Sequence, residues 1–311
     1  MKFAALGRTR LLYDTIQAAL AAGHQLTLLG TCKAAPEYDI TEADFQALAN
    51  RQGCPFFNDS RINSGEVLAM LAASEADIAI SVNWLTLIGS EARSLFPLGI
   101  LNAHMGDLPR YRGNACPNWA ILNGEPDVTL TIHVMGEGLD DGDIVTQQRM
   151  ALTEQTYIAD IYRHFGQYGP ALFIEAMQGL AGGTIVPTPQ ASTPLAPLRC
   201  YPRRPEDGRI DWRSPAPAIH RLIRASGHPF AGAFTTLEGR QPIVIWRAEP
   251  FVHPGEFLAV PGQVLYSIDG DPLVACGQST ALRLTELEGP AGASCANTKG
   301  LILSSLRNRL V

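Results

Sequence analysis

Long apolar runs are missing from this 311-residue chain: no stretch reaches ~18 uninterrupted apolar residues, so no membrane span is expected. The first seven residues look apolar, but Arg8, Arg10 and Asp14 cut the run short of a signal-peptide core, and no leader is expected. Six cysteines (Cys32, Cys54, Cys116, Cys200, Cys276, Cys295) lie far apart, with no CxxC pair and no histidine at metal-ligand spacing. That leaves a set of reduced thiols, a cytoplasmic setting and no metal as the expectation. Internal repeats and low-complexity tracts are absent too.

What is present suffices for two cores. At 46% hydrophobic residues and 311 positions, about two domains are expected on a prior of ~150 residues each. The formal charge of −6 is unevenly distributed: 11 Lys/Arg face 20 Asp/Glu before residue 197, and 13 face 10 after it. The first part should repel a polyanion, whereas the second need not.

Periodicity predicts strand, helix, strand over residues 2–7, 11–22 and 26–29. A helix follows in which Thr41 and Asp44 form a capping box and Gly53 the stop. Strands are predicted at 78–82 and 100–103 around a helical stretch at 88–95. Next come a helix with Pro117 in its first turn and Gly124 as its stop, strands at 128–135 and 143–150, and a long helix over 157–180. Alternation of this kind implies an α/β, Rossmann-like, mostly parallel sheet with helices on both faces. Beyond a proline-rich stretch, one helix at 216–226 and short apolar runs at 243–246, 262–266, 273–276 and 281–284 predict a smaller β-rich, OB-like, partly open barrel. The expected division is a catalytic domain at 1–185, a linker at 186–199 and a second domain at 200–311.

Asn102-Ala103-His104 sits at the end of a predicted strand, where parallel sheets bind ligands. Side chains at i and i+2 share a face, so Asn102 can offer an amide donor to an oxyanion and His104 a titratable nitrogen in one small volume. Asp140, in the Gly138-Leu139-Asp140-Asp141-Gly142-Asp143 loop, is placed to favour a charged imidazole and fix its tautomer. Each residue taken singly also has an ordinary explanation: a turn asparagine, a satisfied histidine, an Asx turn. Spacing alone leaves both readings open.

The stretch LNAHMGDLPRYRGNACPNWAILNGEPDVTLTIHVMGEGLDDGDIVTQ resembles the folate-dependent formyltransferases, whose usual wording is close to INxHxSLLPxYRGxxP followed by GVTxHxMxxGLDxGDI. RRPEDGRIDWRSPAPAIHRLIRA, HPFAGAFT and PGQV with LRLTELEG resemble the carboxy-terminal domain of the methionyl-tRNA formyltransferase group. The RRPEDG element and the spacing are most similar to sugar-nucleotide N-formyltransferases, among them the formyltransferase domain of the aminoarabinose enzyme of lipid A modification. The resemblance implies Asn102, His104 and Asp140 as the catalytic set and 10-formyltetrahydrofolate as donor. It also implies a pterin lying against the loops at Thr86, Leu87 and Ile88 and at Gly136, Glu137, Gly138 and Leu139. The implied reaction is attack of a neutral amine on the formyl carbon, without a metal.

Two departures bear on the acceptor. Gly106-Asp107-Leu108-Pro109 stands where the family writes SLLP, trading a hydroxyl for a carboxylate beside the site, and Asn114 stands where the aminoarabinose enzyme carries an arginine. Asp107 would position an acceptor ammonium or, alternatively, cap the turn before Pro109. Arg110 and Arg112 would meet a diphosphate or the folate tail through bidentate bonds, or clamp their own loop. The stretch from Thr31 to Asp39 holds one lysine and two acids where the tRNA enzymes carry a basic loop, so nucleic acid is not expected. The arginines at 199, 203, 204, 209, 213, 221 and 224 are the feature that keeps tRNA in play. A small amine, most readily a nucleotide-linked amino sugar, is the expected partner; a homodimer is left open, and tRNA formylation, a non-catalytic folate binder and a formyltetrahydrofolate hydrolase remain as alternatives.

Overall fold

The structure, a computed structural model, describes residues 1–35 and 38–311. The chain forms two compact units: Met1–Cys116 with Asp127–Ala151 and Tyr162–Tyr201, and Pro117–Pro126 with Leu152–Ile161 and Pro202–Val311.

The first unit opens with β1 (Lys2–Gly7), α1 (Arg10–Ala21) and β2 (Gln25–Thr31), continues with α2 (Glu42–Gln52), β3 (Phe56–Asn58), α3 (Gly65–Ala73) and β4 (Ile78–Val82), and reaches α4 (Ser90–Ser94) and β5 (Ile100–His104). The short β6 (Arg112–Gly113), α5 (Cys116–Asn123), β7 (Asp127–Val134), β8 (Ile144–Ala151), α6 (Ile158–Ala181) and β9 (Arg199–Cys200) complete the run, with α5 and the start of α6 counted in the second unit. The main sheet has the order β3-β2-β1-β4-β5-β7-β8. Its first five strands are parallel, and β7 and β8 run antiparallel. Strand β4 is buried along its whole length and β1 nearly so, as expected when helices cover both faces. The chain winds outward from β1 to β3 and returns to β4, which puts the switch point of the sheet between β1 and β4, where open α/β sheets bind ligands at the carboxyl ends of their strands.

Local chemistry accounts for the elements. The capping box at α2 is present, with Asp44 Oδ2 accepting from both the Thr41 N–H and Oγ1 at 2.8 Å, and Gly53 closes the helix at φ 64°. Such a cap is worth about 1 kcal/mol. Between α2 and β4 the sequence reading places no element, whereas the structure has β3 and α3, whose short apolar runs carry no alternation long enough to read. Residues 186–199, expected as a linker, are tied to the first unit: Thr188 exchanges backbone bonds with Ile144 at 2.9 and 2.8 Å, and Arg199 pairs with Arg112. Proline-rich sequence hides this, because the pairing partners are distant in the chain.

The second unit contains α7 (Ala216–Ser226), β10 (Ala233–Leu237), β11 (Gln241–Phe251), β12 (Val264–Ile268), β13 (Asp271–Ala275), β14 (Ala281–Glu288) and α8 (Cys295–Leu303). Its antiparallel sheet has the order β10-β11-β14-β13-β12, with α7 packed on β11. The last residues cover both edges: Leu310 bridges Leu237 beside β10, and Arg309 bridges Gln263 beside β12. The carboxy-terminal tail thereby pairs with both edges of this antiparallel sheet, the smaller β-rich unit that was expected. Among the described residues no helix is long and apolar enough to cross a membrane.

His220 on α7 gives this unit a measurable pH response. Burial, with smaller contributions from Arg224 and Arg221, pushes its imidazole down to about 4. Because the folded value lies below the ordinary 6.5, the unfolded chain takes the proton first; stability is complete above about pH 6.5 and declines as pH falls toward 4. A His220→Leu variant should therefore lose less Tm between pH 7 and pH 5 than the parent in thermal melts; equal losses would remove His220 from the explanation.

Candidate active site

The site grows from the antiparallel pair β5 and β7. Asn102 lies directly opposite His133, and His104 opposite Thr131, so Asn102, His104 and His133 share one face. His133 Nδ1 lies 3.1 Å from the Val134 carbonyl oxygen, which can only accept; Nδ1 therefore carries the proton and Nε2 accepts from Asn102 Nδ2 at 3.2 Å. At 2% exposure, burial pushes the His133 imidazole down to about 4, with nearby His104 acting in the same direction and Asp140 opposing both. A neutral His133 keeps the Asn102 amide oriented, with its second N–H unused by this bond.

His104 is fixed from its other side. Its Nε2 sits 2.6 Å from the Tyr111 carbonyl oxygen and must donate to it, so Nδ1 is the nitrogen left to exchange protons. Nδ1 faces Asp140 Oδ2 at 3.5 Å, while Asp140 Oδ1 lies 3.8 Å from His133 Nε2. The carboxylate is held in turn by the Gly113 N–H at 2.8 Å. Cys116 Sγ donates to the same Tyr111 oxygen at 2.9 Å and lies 3.6 Å from His104 Nε2. Hydrogen bonding to the Cys200 thiol and burial hold the Cys116 thiol well above its usual range, so it remains a donor.

Two glycines are required by these close approaches. A Cβ at Gly106 would lie 2.3 Å from the Tyr111 oxygen and 2.6 Å from His104 Nε2, and one at Gly142 would lie 1.7 Å from the Val134 oxygen. The backbone is strained as well: Tyr111 and Asp140 have φ of 57° and 49°. Such residues cost roughly 1–3 kcal/mol each and persist only where their surroundings over-determine them. Gln190 supplies part of that determination, donating from Nε2 to the Asp140 and Gly142 carbonyls at 2.8 and 2.7 Å and accepting from Arg112 Nε and Nη2 at 3.0 and 2.5 Å. Leaving a buried carbonyl unpaired costs ~1–3 kcal/mol, the same order as the strain.

The structure thus brings Asn102, His104 and Asp140 together and adds His133 between them. The other expected residues are distributed differently. Asp107 turns to the sheet, with Oδ1 3.2 Å from Arg149 Nη2 and 3.4 Å from Thr129 Oγ1, and Arg149 also reaches Asp127 at 3.5 Å. Arg112 is engaged by Gln190, Arg110 stacks over the Tyr111 ring at 5.3 Å, and Asn114 is exposed with its backbone N–H on the Cys200 carbonyl at 3.2 Å. At the end of β4, Thr86 Oγ1 donates to the Ser60 carbonyl at 2.7 Å, Leu85 and Leu87 are 49% and 73% exposed, and Ile88 turns into the core. Within 136–140, Glu137 and Gly138 are exposed and Leu139 half-buried; the Gly138 N–H donates to Asp141 Oδ2 at 2.9 Å. His133 was passed over although it stands inside the quoted TLTIHVMG wording, on the face that alternation assigns to Asn102. Gln190 carries no motif that would single it out.

Comparison with known proteins agrees across the chain. The Formyl transferase family model matches residues 8–177, and the Formyl transferase, C-terminal domain model matches residues 203–299. A methionyl-tRNA formyltransferase of Anaeromyxobacter sp. (strain K) is 32% identical over 317 residues, covering 97% of each chain. Its counterpart in Anaeromyxobacter dehalogenans is 33% identical over 316 residues with the same coverage. Among solved structures, the N-formyltransferase from Helicobacter canadensis in complex with folinic acid and dTDP-3-aminofucose has a TM-score of 0.65 at 15% identity, over 92% of this chain and 99% of that one. HypX from Aquifex aeolicus in complex with tetrahydrofolic acid has a TM-score of 0.63 at 20% identity, over 92% of this chain and 44% of that one. At such identities the two structures speak for the fold. With both family models matched in order, and a relative at 32% identity aligned from end to end, the chain belongs to the formyl transferase family.

Proposed function

We propose that this enzyme moves a formyl group from 10-formyltetrahydrofolate to the amine of a small acceptor, a nucleotide-linked amino sugar. The chemistry rests on the row Asn102, His133, Asp140 and His104. As a neutral amine attacks the formyl carbon, the carbonyl oxygen becomes an oxyanion; in this reading the Asn102 N–H not given to His133 holds it, and His104 Nδ1, beside Asp140, is the nitrogen that moves protons. Asp140 Oδ2, 3.5 Å from Nδ1, orients the imidazole for this step. The attacking nitrogen gives its proton to His104 Nδ1, the imidazole passes a proton on to N10 of the folate, and the bond from carbon to N10 breaks as the carbonyl re-forms, giving a formamide and tetrahydrofolate with His104 back in its starting state. His133, neutral because it is buried, keeps Asn102 as a donor throughout.

The donor fits the residues around the site. Exposed Leu85 and Leu87 flank Thr86 at the carboxyl end of β4, next to β5, and suit the flat pterin; the backbone of 136–140 borders it in this reading. Arg112 acts on the site through Gln190, Asp107 is tied to Arg149, and the exposed Asn114 meets the acceptor in this reading.

One observation carries the choice of acceptor. The arginines that would grip a phosphate backbone from the second unit are largely committed to internal partners. Arg224 donates to the Thr153 and Thr156 carbonyls at 2.9 Å, Arg221 to the Leu122 carbonyl at 3.1 Å, Arg203 to the Asp207 carbonyl at 2.9 Å, and Arg213 pairs with Asp211 at 2.8 Å. After β2, Asp39 pairs with Arg10 at 3.1 Å; Pro36 and Glu37 of the same stretch lie outside the described residues. The second reading, transfer to methionyl-tRNA, is favoured by the name of the relative at 32% identity. Tetrahydrofolate release separates the two: turnover with a nucleotide amino sugar and none with charged initiator tRNA is expected, and the reverse pattern would replace the first reading by the second.

Whatever the amine, His104→Ala and Asp140→Ala should each lower kcat by at least ~10²-fold, the scale of losing a positioned acid/base or the group that orients it. Near-parental rates from either folded variant would remove that residue from the mechanism.

A further inference from the structure

A buried glutamine in a stretch without any motif holds both sides of the active-site loop. Gln190 is 4% exposed and lies in a short turn, Gln190–Ser192, fifty residues beyond Asp140. Its amide uses both ends. The NH2 group donates to the carbonyls of Asp140 and Gly142, and the oxygen takes two bonds from the Arg112 guanidinium. Arg112 precedes Gly113, whose N–H holds the Asp140 carboxylate at 2.8 Å. One side chain therefore fixes the backbone of Asp140 directly and, through Arg112, the strand whose amide fixes the Asp140 carboxylate.

We infer that Gln190 is a positioning residue for formyl transfer, and that Arg112 acts with it as an internal clamp on Asp140 and not as a ligand for phosphate. The inference rests on the assignment of Asp140 to the catalytic row. Amide chemistry is specific here: a carboxylate at 190 would keep the Arg112 bonds but set an oxygen against two carbonyl oxygens, and an aliphatic group would lose all four bonds while keeping the volume. Because Asp140 has a left-handed backbone, releasing its carbonyl frees it to relax away from His104 Nδ1 without unfolding the sheet.

Gln190→Leu and Gln190→Glu in the full chain test this, with two readouts. The first needs no substrate: amide hydrogen exchange by NMR should show the Gly113 N–H exchanging at least ~10-fold faster in Gln190→Leu, while core amides of β1 and β4 stay at parental rates. The second is kinetic, using whichever of the nucleotide amino sugar and the charged initiator tRNA the parent accepts. There kcat should fall at least ~10-fold in both variants with acceptor KM within about 3-fold, and Arg112→Leu added to Gln190→Leu should cost little more, as expected for two members of one unit. Unchanged Gly113 exchange, or acceleration of all core amides together, would overturn the clamp. So would a rise in KM at constant kcat, or fully additive losses in the double variant. Failure of the acceptor assignment shows separately, in the parent enzyme's choice of amine, and failure of the Asp140 assignment shows as altered Gly113 exchange with parental kcat.

Discussion

The pairing of β5 with β7 is the constraint on which the site depends. A parallel neighbour at this position would have required a crossover and a second carboxyl end beside His104. The antiparallel strand instead sets His133 opposite Asn102 and leads into a hairpin whose loop returns Asp140 to the same face. From that single register come the 3.2 Å bond to the Asn102 amide, the neutral buried imidazole, and the carboxylate between two histidines. A slip of one residue would send Asn102 and His104 to the other face.

Around that pair the chain accepts strain in order to aim polar groups. Tyr111 and Asp140 adopt left-handed backbone, Gly106 and Gly142 admit contacts that no side chain would allow, and backbone carbonyls and amides do much of the positioning. The electrostatics follow the same division. His133 is kept neutral by burial and serves as an acceptor, whereas His104 has one nitrogen committed to a carbonyl and the other turned to a carboxylate. Two imidazoles on one sheet face thus take opposite roles because of what each ring nitrogen meets.

Much of this was legible in the chain. Alternation and capping located the strands and helices that build the sheet, since Thr41, Asp44 and Gly53 act locally. The NxH spacing located Asn102 and His104 for the same reason, and motif resemblance supplied Asp140, which no local rule ties to them. Asp107 and Arg112 read as charges facing a substrate, yet their partners Arg149 and Gln190 lie 42 and 78 residues away, a distance over which periodicity is silent. The pairing of residues 308–311 with the edges of the second unit's sheet was hidden likewise, because a segment of a few residues has no pattern of its own.

The most direct test of the account follows the formyl carbon itself. With 10-formyltetrahydrofolate labelled by 13C in the formyl group, single-turnover reactions observed by NMR should move the label into a formamide on the acceptor amine, one for each tetrahydrofolate formed. Label appearing as formate, with the amine unmodified, would contradict it and make the site a hydrolase.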